Sequence, residues 1–350
     1  MKIKNITFQE IHIPLKTPFI TALREVKNVV FIRVSVLCDD GSLRFGEAPA
    51  TKAITGETIE SIKKSIEQIK ETFYEVDIQE ALSLLHEQAI GSSAKAALDM
   101  AFVFLLAEAK KQTLLEYFGI KDTSPIKTDI TISLNEANKM MQDAKSALTQ
   151  QQNILKVKLG SNISHATSVT KALAKELKSA TLLIDANQAW SLEESLRYLR
   201  EVKDCKLELV EQPVPAKELT ALKEISHATK ISILADEAVF TLADVKYVVE
   251  NRCADMINIK LMKCGGVSRA VEILEYAREK GITCMLGSML EGPYSINAAI
   301  YLAFAYRDVI KYVDLDSPLL YSEPSDKLDF HYEGAEISFK RVSLQQISAR

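Results

Sequence analysis

After Pro125 the sequence repeats one pattern, an apolar strand-like run that ends in a polar or charged residue. The end residues of seven runs are Lys158, Asp185, Glu211, Asp236, Lys260, Ser288 and Asp314. They follow one another at intervals of 27, 26, 25, 24, 28 and 26 residues, and most of the gaps have the apolar spacing of helices. Eight strand–helix units of this kind predict an α/β fold, a (β/α)8-type (modified TIM) barrel.

The carboxyl ends of barrel strands meet at one rim, where barrel enzymes place their sites. A single Asp after an apolar run is more often a helix N-cap. Seven polar ends in phase are hard to explain as seven caps, so the spacing predicts a functional site. The predicted barrel strands are 127–133, 154–159, 181–185, 206–211, 231–236, 255–260, 283–288 and about 309–314.

The first part of the chain has a different pattern, with strands followed by a run of helices. Such an order predicts a small α+β domain. The predicted strands are 2–15, 29–38 and 42–48, and the predicted helices are 58–74, 78–90, 93–111 and 113–118. Polar loops are predicted at 16–28 and 51–57. We expect a capping domain over residues 1–124, a barrel over 125–318, and a segment over 319–350 that packs back on the capping domain.

Composition excludes several classes of protein. A net charge of −4 and a pI near 5.9 argue against a general nucleic-acid or anionic-membrane binder. No apolar run approaches the roughly 20 residues of a membrane span, and the first residues lack the apolar block of a signal peptide. Five scattered cysteines without a CxxC pair indicate reduced thiols in a cytoplasmic protein and make a zinc site improbable.

Three carboxylates end adjacent predicted strands: Asp185, Glu211 and Asp236. Carboxylates that converge without partners repel one another and raise one another's pKa. A divalent cation resolves this, and hard oxygen ligands without Cys or His favour Mg²⁺. The alternative is that the three carboxylates form ion pairs with lysines at the barrel mouth.

Three lysines flank this acidic arc. Lys156 and Lys158 belong to the second strand and point to the same side of it, whereas Lys260 ends the sixth strand. The second and sixth strands face each other across an eight-stranded barrel. Two bases on opposite sides of a cation can move a proton on and off a carbon next to a carboxylate. Lys156 would lower the pKa of Lys158 through like-charge repulsion.

The motifs KVKLG, DANQAW, VEQP, ADE and NIKLMKCGG, in this order, resemble the enolase superfamily, specifically its muconate-lactonizing-enzyme subgroup. FGEAP and SSAKAALDMAFVFLLAEAKKQTLLEYFG resemble the capping domain of that subgroup. The resemblance implies that Lys158 and Lys260 are the two bases, and that Lys263 is not catalytic. It also implies Mg²⁺ ligands at Asp185, Glu211 and Asp236, an accompanying acid at Glu237, specificity loops near 16–28 and 50–57, and a homo-oligomer.

Within the subgroup, Asp314-Leu315-Asp316 resembles the DxD motif of dipeptide epimerases, which holds a free N-terminal ammonium group. Two carboxylates suit a docking cation. Arg24 matches an arginine that would hold the side-chain carboxylate of a glutamate substrate. Thr131, Ser288 and Leu290 match further positions that line the substrate site, as does Lys156.

The resemblance therefore implies an Mg²⁺-dependent isomerase, a dipeptide epimerase of the L-Ala-D/L-Glu type. It would transfer a proton at the α-carbon of the C-terminal residue, in salvage of murein peptides. Alternatives are another dipeptide epimerase, an N-acylamino-acid racemase, a cycloisomerase or an o-succinylbenzoate synthase, and a binding barrel without catalysis.

Overall fold

The computed structural model describes residues 1–21 and 25–340. The strands are β1 (Ile3–Ile20), β2 (Glu25–Cys38), β3 (Leu43–Pro49), β4 (Ile126–Lys127), β5 (Ile130–Ile132), β6 (Ile154–Lys158), β7 (Thr181–Asp185), β8 (Leu209–Glu211), β9 (Ser232–Ala235), β10 (Met256–Lys260), β11 (Thr283–Gly287), β12 (Ile310–Asp314), β13 (Phe330–Glu333) and β14 (Glu336–Phe339). The helices are α1 (Lys52–Thr55), α2 (Ile59–Ile69), α3 (Ile78–Glu87), α4 (Ser92–Ala109), α5 (Leu114–Tyr117), α6 (Ala137–Thr149), α7 (Ile163–Glu176), α8 (Leu192–Glu201), α9 (Leu219–Ala228), α10 (Leu242–Glu250), α11 (Leu261–Cys264), α12 (Val267–Lys280), α13 (Pro293–Ala305) and α14 (Ser317–Leu320).

The strands β1, β2 and β3 form an antiparallel sheet in sequence order. The prediction of a loop over 16–28 is wrong, because β1 continues to Ile20 and β2 already begins at Glu25. Pro14 pairs with Asn28 and Phe19 with Val26, so a bulge absorbs the residues between. Pro14 and Pro18 are tolerated because β1 is an edge strand of the sheet. The N–H group that a proline lacks is not needed there for pairing with a further strand.

Helix α4 is buried over most of its surface. Fourteen of its residues are buried, including the polar Ser93 and Asp99. The helix packs on β3 on one side and on α11 and α12 of the barrel on another, so no face meets solvent. A helix that is apolar on nearly every side is typical of such a central position.

Strands β5 to β12 form one parallel sheet in sequence order, with helices between them. The prediction of an eight-stranded barrel is confirmed. Its seam lies between β12 and β5, where the N–H of Asp129 donates to the carbonyl of Val313 at 2.9 Å. The Thr128 hydroxyl adds to the seam, since it donates to Val313 O at 3.2 Å and accepts from the N–H of Leu315 at 3.0 Å.

A small apolar cluster fills the barrel beneath the rim. Its buried members are Leu183, Leu209, Leu234, Met256, Met285 and Tyr312. Side chains alternate along a strand with a period of two residues. Asp185 therefore points to the same side as Leu183, and Glu211 to the same side as Leu209. Because of this alternation, a layer of apolar side chains lies directly beneath the polar side chains of the rim.

The last described segment packs on β4, on α13 and on β1. Strand β14 pairs with β13 and with β4, and Phe330 and Phe339 contact the ring of Tyr301. Ser322 donates to the carbonyl of Pro14 in β1 at 2.8 Å. The domain boundaries at 124 and 318 stay a prediction. In the described part of the chain, no helix is both long and apolar enough to cross a membrane.

Two buried carboxylates of the N-terminal region cap barrel helices. Glu47 accepts from the N–H groups of Tyr294 and Ser295 at the start of α13, at 2.8 and 3.1 Å. Asp99 accepts from the N–H of Ser268 in the first turn of α12 at 3.1 Å. A carboxylate at a helix N-terminus satisfies free N–H groups and meets the positive end of the helix dipole.

Gly266, just before α12, is required by both backbone and packing. Its φ of +124° and ψ of −170° lie in a region that is essentially restricted to glycine. A Cβ there would lie 2.4 Å from the side chain of Asp99. We expect Gly266→Ala to destabilise the protein by about 3 kcal/mol or more, since strain and steric overlap add, measured by urea denaturation.

Gly281→Ala is the matched control at the other end of α12. Gly281 has φ +66°, but a Cβ would meet nothing within 4 Å. Gly281→Ala therefore measures the cost of the positive φ without a steric overlap. It should lower the free energy of unfolding by about 1–2 kcal/mol. Equal losses in the two variants would contradict a tight contact between Gly266 and Asp99.

Candidate active site

The polar strand ends surround a cavity at the rim of the barrel. From the N-terminal region, the lining residues are Phe19, Thr21, Thr51, Ala53 and Ile54. From the barrel, they are Thr131, Lys158, Asn187, Asp236, Glu237, Lys260, Ser288, Met289, Leu290, Asp314 and Asp316. Both predicted specificity loops therefore contribute to the cavity wall. Arg24 lies outside the described residues.

The three predicted metal ligands stand at the ends of neighbouring strands and are fully buried. Asp185 of β7 pairs in register with Glu211 of β8, and Glu211 pairs with Leu234 of β9. Asp236 follows two residues after Leu234 on the same side. Three neighbouring strands thus present one carboxylate each to the same region.

Lysine ammonium groups neutralise these carboxylates in the structure. Lys158 Nζ lies 2.5 Å from Asp185 Oδ2, and Lys260 Nζ lies 2.6 Å from Asp236 Oδ2. Lys263, predicted to be non-catalytic, lies 2.6 Å from Asp236 Oδ1 and 2.8 Å from the carbonyl of Asn258. The alternative prediction, ion pairs between these carboxylates and lysines at the barrel mouth, therefore describes the structure. An added cation would compete with the lysines for the same oxygens.

The residues fit a hard divalent cation. The side chains that could ligate a cation here are carboxylates, which offer only oxygen atoms. Among the described residues, Glu237 Oε2 is buried without a hydrogen-bond partner. Burial, with Asp185 next to it, raises the pKa of Glu211 to about 7. Burial, with Asp236 next to it, raises the pKa of Glu237 to about 8. Although burial alone would raise them, the neighbouring lysines instead hold the pKa values of Asp185 and Asp236 below their usual range. All-oxygen ligands suit Mg²⁺.

Lys156 is the most buried cation of the site. Its Nζ lies 2.6 Å from both Glu211 Oε2 and Asp314 Oδ2, and 3.5 Å from Asp185 Oδ2. Burial alone would lower its pKa, but these carboxylates raise the pKa well above its usual value. Lys156 is therefore a permanent cation among acids. That it lowers the pKa of Lys158 stays a prediction.

The two predicted bases face each other across the barrel. Lys158 ends β6 and Lys260 ends β10, four strands apart in a sheet of eight. Both are nearly buried and both line the cavity. A Cβ on Gly287, in register with Lys260, would lie 3.1 Å from Lys260 Cε. Glycine at that position leaves room for the lysine side chain.

The DxD pair lies next to Lys156 and Thr131. Asp314 Oδ2 accepts from Lys156, and Asp316 Oδ2 accepts from the N–H of Thr131 at 2.7 Å. The N–H of Ser288 donates to the carbonyl of Asp314 at 3.0 Å. The structure thus brings together the predicted substrate residues Thr131, Ser288, Leu290, Asp314 and Asp316 around one cavity.

Buried polar residues at the site that were not predicted include Asp129, Asn187 and Asn258. Asn258 Nδ2 donates to Glu211 Oε1 at 2.7 Å and so orients that carboxylate. Asp129 lies close to the DxD pair. The available signal was alternation, since Asn258 is two residues before Lys260 and Asp129 two residues before Thr131, on the same side of their strands.

The fold and the rim geometry agree with a family comparison. A family model described as enolase C-terminal domain-like matches residues 139–341. The chain belongs to this enolase-like family. The resemblance to the enolase superfamily predicted from the sequence is confirmed.

Three relatives are similar over nearly their whole length. An L-amino acid-D/L-Glu epimerase from Sulfurimonas denitrificans is 57% identical, with coverage of 96% of this chain and 99% of the relative. The substrate-liganded L-Ala-D/L-Glu epimerase of Bacillus subtilis has a TM-score of 0.91 at 35% identity, covering 97% of each chain. The dipeptide epimerase of Enterococcus faecalis, complexed with Mg and L-Leu-L-Tyr, has a TM-score of 0.90 at 30% identity, covering 97% of this chain and 98% of the other.

Lys156→Met removes the shared cation while keeping most of the side-chain volume. Glu211 and Asp314 would then be buried with less compensation. We expect a loss of about 3–5 kcal/mol in the free energy of unfolding, as for a buried ion pair that loses one partner. Thermal or urea denaturation measures the loss.

Lys171→Met is the matched control. Lys171 Nζ lies 2.5 Å from Glu201, but both side chains are about half exposed. Removing an exposed pair should cost less than about 1 kcal/mol. A loss of similar size in the two variants would show that Lys156 does not hold the acids together.

Proposed function

We propose that the protein is an Mg²⁺-dependent isomerase that epimerises dipeptides at the α-carbon of the C-terminal residue. One observation carries the proposal. Lys158 and Lys260 face each other across one cavity, and each pairs with a carboxylate of the predicted metal site, Asp185 and Asp236 respectively. That arrangement can take a proton from one face of a carbon and return one to the other.

Asp185, Glu211 and Asp236 would hold Mg²⁺. When bound, the ion supplies positive charge that stabilises a substrate carboxylate as the neighbouring carbon loses its proton. Lys158, as the neutral amine, would accept the α-proton of an L-configured residue. Lys260, as the ammonium, would give a proton to the opposite face, and the two roles would exchange in the reverse direction.

Asp314 and Asp316 would bind the free amino group of the dipeptide. Both line the cavity, and their charge suits an ammonium group. Among the described residues that line the cavity, Lys158 and Lys260 are the basic ones, and the mechanism uses both. A glutamate side chain therefore needs another cation, and we propose Arg24 for it.

L-Ala-D/L-Glu-type dipeptides are the substrates that we propose. The names of the similar epimerases from Sulfurimonas denitrificans and Bacillus subtilis support glutamate at the C-terminal position. Such a peptide fits salvage of murein fragments by a cytoplasmic enzyme, and we propose that this enzyme is a homo-oligomer.

A second candidate is an epimerase of apolar dipeptides. Phe19, Ile54, Met289 and Leu290 give the cavity an apolar rim. A dipeptide library in deuterium oxide, followed by NMR for loss of α-proton signals, separates the two candidates. Exchange in Ala-Glu supports the first, whereas exchange only in peptides with apolar C-terminal residues supports the second.

Single lysine variants test the two-base mechanism. Lys260→Ala should exchange the α-proton of L-Ala-L-Glu with deuterium without forming the D-epimer, because Lys158 still serves that face. Lys158→Ala should do the reverse. Epimerisation should fall about 100-fold or more in each, the usual loss for a general base, as measured by NMR and polarimetry.

The exposed Lys171→Ala is the control, with expected wild-type rates in both assays. Full epimerisation by Lys158→Ala would contradict the mechanism. Loss of exchange from both epimers in both variants would instead indicate that neither lysine acts alone on one face.

The amino-group site predicts a pH dependence. Burial and the neighbouring Asp314 raise the pKa of Asp316 to about 6. Asp316 is ionised above this pH and becomes neutral as the pH falls through it, so it then attracts an ammonium group less. KM for L-Ala-L-Glu should rise below about pH 6 relative to KM for N-propionyl-L-Glu, which lacks the ammonium group.

Steady-state kinetics with both compounds from pH 5 to pH 8 measures this ratio. The ratio removes effects on Mg²⁺ binding, because those affect both compounds equally. A ratio that is constant with pH would contradict the assignment of Asp316 to the amino group.

A further inference from the structure

The two acids of the proposed amino-group site lie close to a third, buried acid. Among the described residues, the acidic group that could hold a metal ion comprises Asp129, Asp314 and Asp316, with one carboxylate oxygen of each within 4.8 Å of the other two. Their exposed fractions are 1%, 6% and 4%. Asp314 and Asp316 line the cavity, whereas Asp129 is not among its lining residues.

The three carboxyl groups differ in their partners. Asp314 accepts from Lys156 at 2.6 Å, and Asp316 accepts from the N–H of Thr131 at 2.7 Å. Among the described residues, no group donates a hydrogen bond to either oxygen of Asp129. A buried carboxylate without a partner is unfavourable, and two neighbouring carboxylates make it more so.

The charges of the cluster lead to the same result. Among residues 1–21 and 25–340, Lys156 is the one ammonium group paired with the cluster, and it also pairs with Glu211 at 2.6 Å. Three ionised acids would leave a large uncompensated negative charge in a buried region. Burial, followed by the charge of Asp314, raises the pKa of Asp129 well above its usual value.

We infer that Asp129 is a positioning residue that keeps its proton at neutral pH and donates it in a hydrogen bond to Asp314. The hydrogen bond fixes the Asp314 carboxylate between Lys156 and the amino group of the substrate. This inference rests on the proposed function, because it assigns the carboxylate of Asp314 to that amino group.

The protonated state also sets the charge that the substrate meets. Asp314 and Asp316 carry one negative charge each, and Lys156, which also pairs with Glu211, offsets part of this charge. The remaining negative charge attracts the ammonium group of a dipeptide. An ionised Asp129 would add a further negative charge that no group of a singly charged amino terminus could neutralise.

Two substitutions of Asp129 separate a donor from an anion. Asp129→Asn has almost the same size, stays neutral at every pH and offers an N–H donor, so it should keep KM for L-Ala-L-Glu within about threefold of wild type. Asp129→Leu has no donor, and KM should rise about tenfold, as for one lost hydrogen bond to a charged group.

The compound N-propionyl-L-Glu serves as the control substrate. Its KM should be the same in wild type and both variants, so the preference for a free amine falls only in Asp129→Leu. Equal impairment of the Asn and Leu variants would overturn the inference, since Asp129 would then act as an anion. A wild-type preference in Asp129→Leu would overturn it as well.

Infrared spectroscopy tests the proton without using activity. The spectrum of the wild type minus that of Asp129→Asn at pH 7 should show the carbonyl band of a protonated carboxyl group. Asp255→Asn is the control, since Asp255 also directly precedes a barrel strand but accepts from Ser226 and from the N–H of Ile233. Its difference spectrum should show an ionised carboxylate.

A carboxylate band in the Asp129→Asn difference would overturn the inference, even if Asp129→Leu fails to fold. Failure of the proposed function has a different outcome. The wild type would then exchange no α-proton in any dipeptide, while the infrared band of Asp129 would still be present.

Discussion

The ammonium group of Lys156 is the interaction on which the site depends. It is fully buried and within 3.5 Å of carboxylates from three different strands. A buried acid is tolerated only when paired, and removing one partner of such a pair is strongly destabilising. Lys156 joins the acids of the proposed metal site to those of the proposed amino-group site. The two halves of the cavity therefore share one counter-ion.

Much of this site follows from sequence periodicity. Polar residues at intervals near 26 predict the rim, and the two-residue alternation places Lys156 and Lys158 on one side of β6. An apolar residue stands two positions before several of these polar residues, as Leu183 does before Asp185. The register of each strand therefore decides which side chains reach the rim. A one-residue slip of β7 would turn Asp185 outward and bring an apolar side chain to the rim.

Other features depend on contacts that are distant in sequence. Asp129 is ordinary as a residue before a strand, and its significance comes from Asp314, 185 residues later, across the barrel seam. In the sequence, Lys156 stands two residues from Lys158, and a role next to that lysine is predicted. In the structure, its ion-pair partners are carboxylates of other strands. Local polarity predicts a loop over 16–28, but pairing across the hairpin and an edge position make most of it strand. Arg24 lies outside the described residues.

The carboxylates that cap α12 and α13 have a consequence for synthesis of the chain. Glu47 is made 247 residues before the N–H of Tyr294 that it accepts from. At roughly 5–20 residues per second, the two groups are separated by about 12–50 s. During that interval Glu47 can remain hydrated or paired with Arg33, which contacts it in the finished protein. The N-terminal third is therefore synthesised with the carboxylates of Glu47 and Asp99 already present. Their N–H partners become available only when helices α12 and α13 of the barrel have been made.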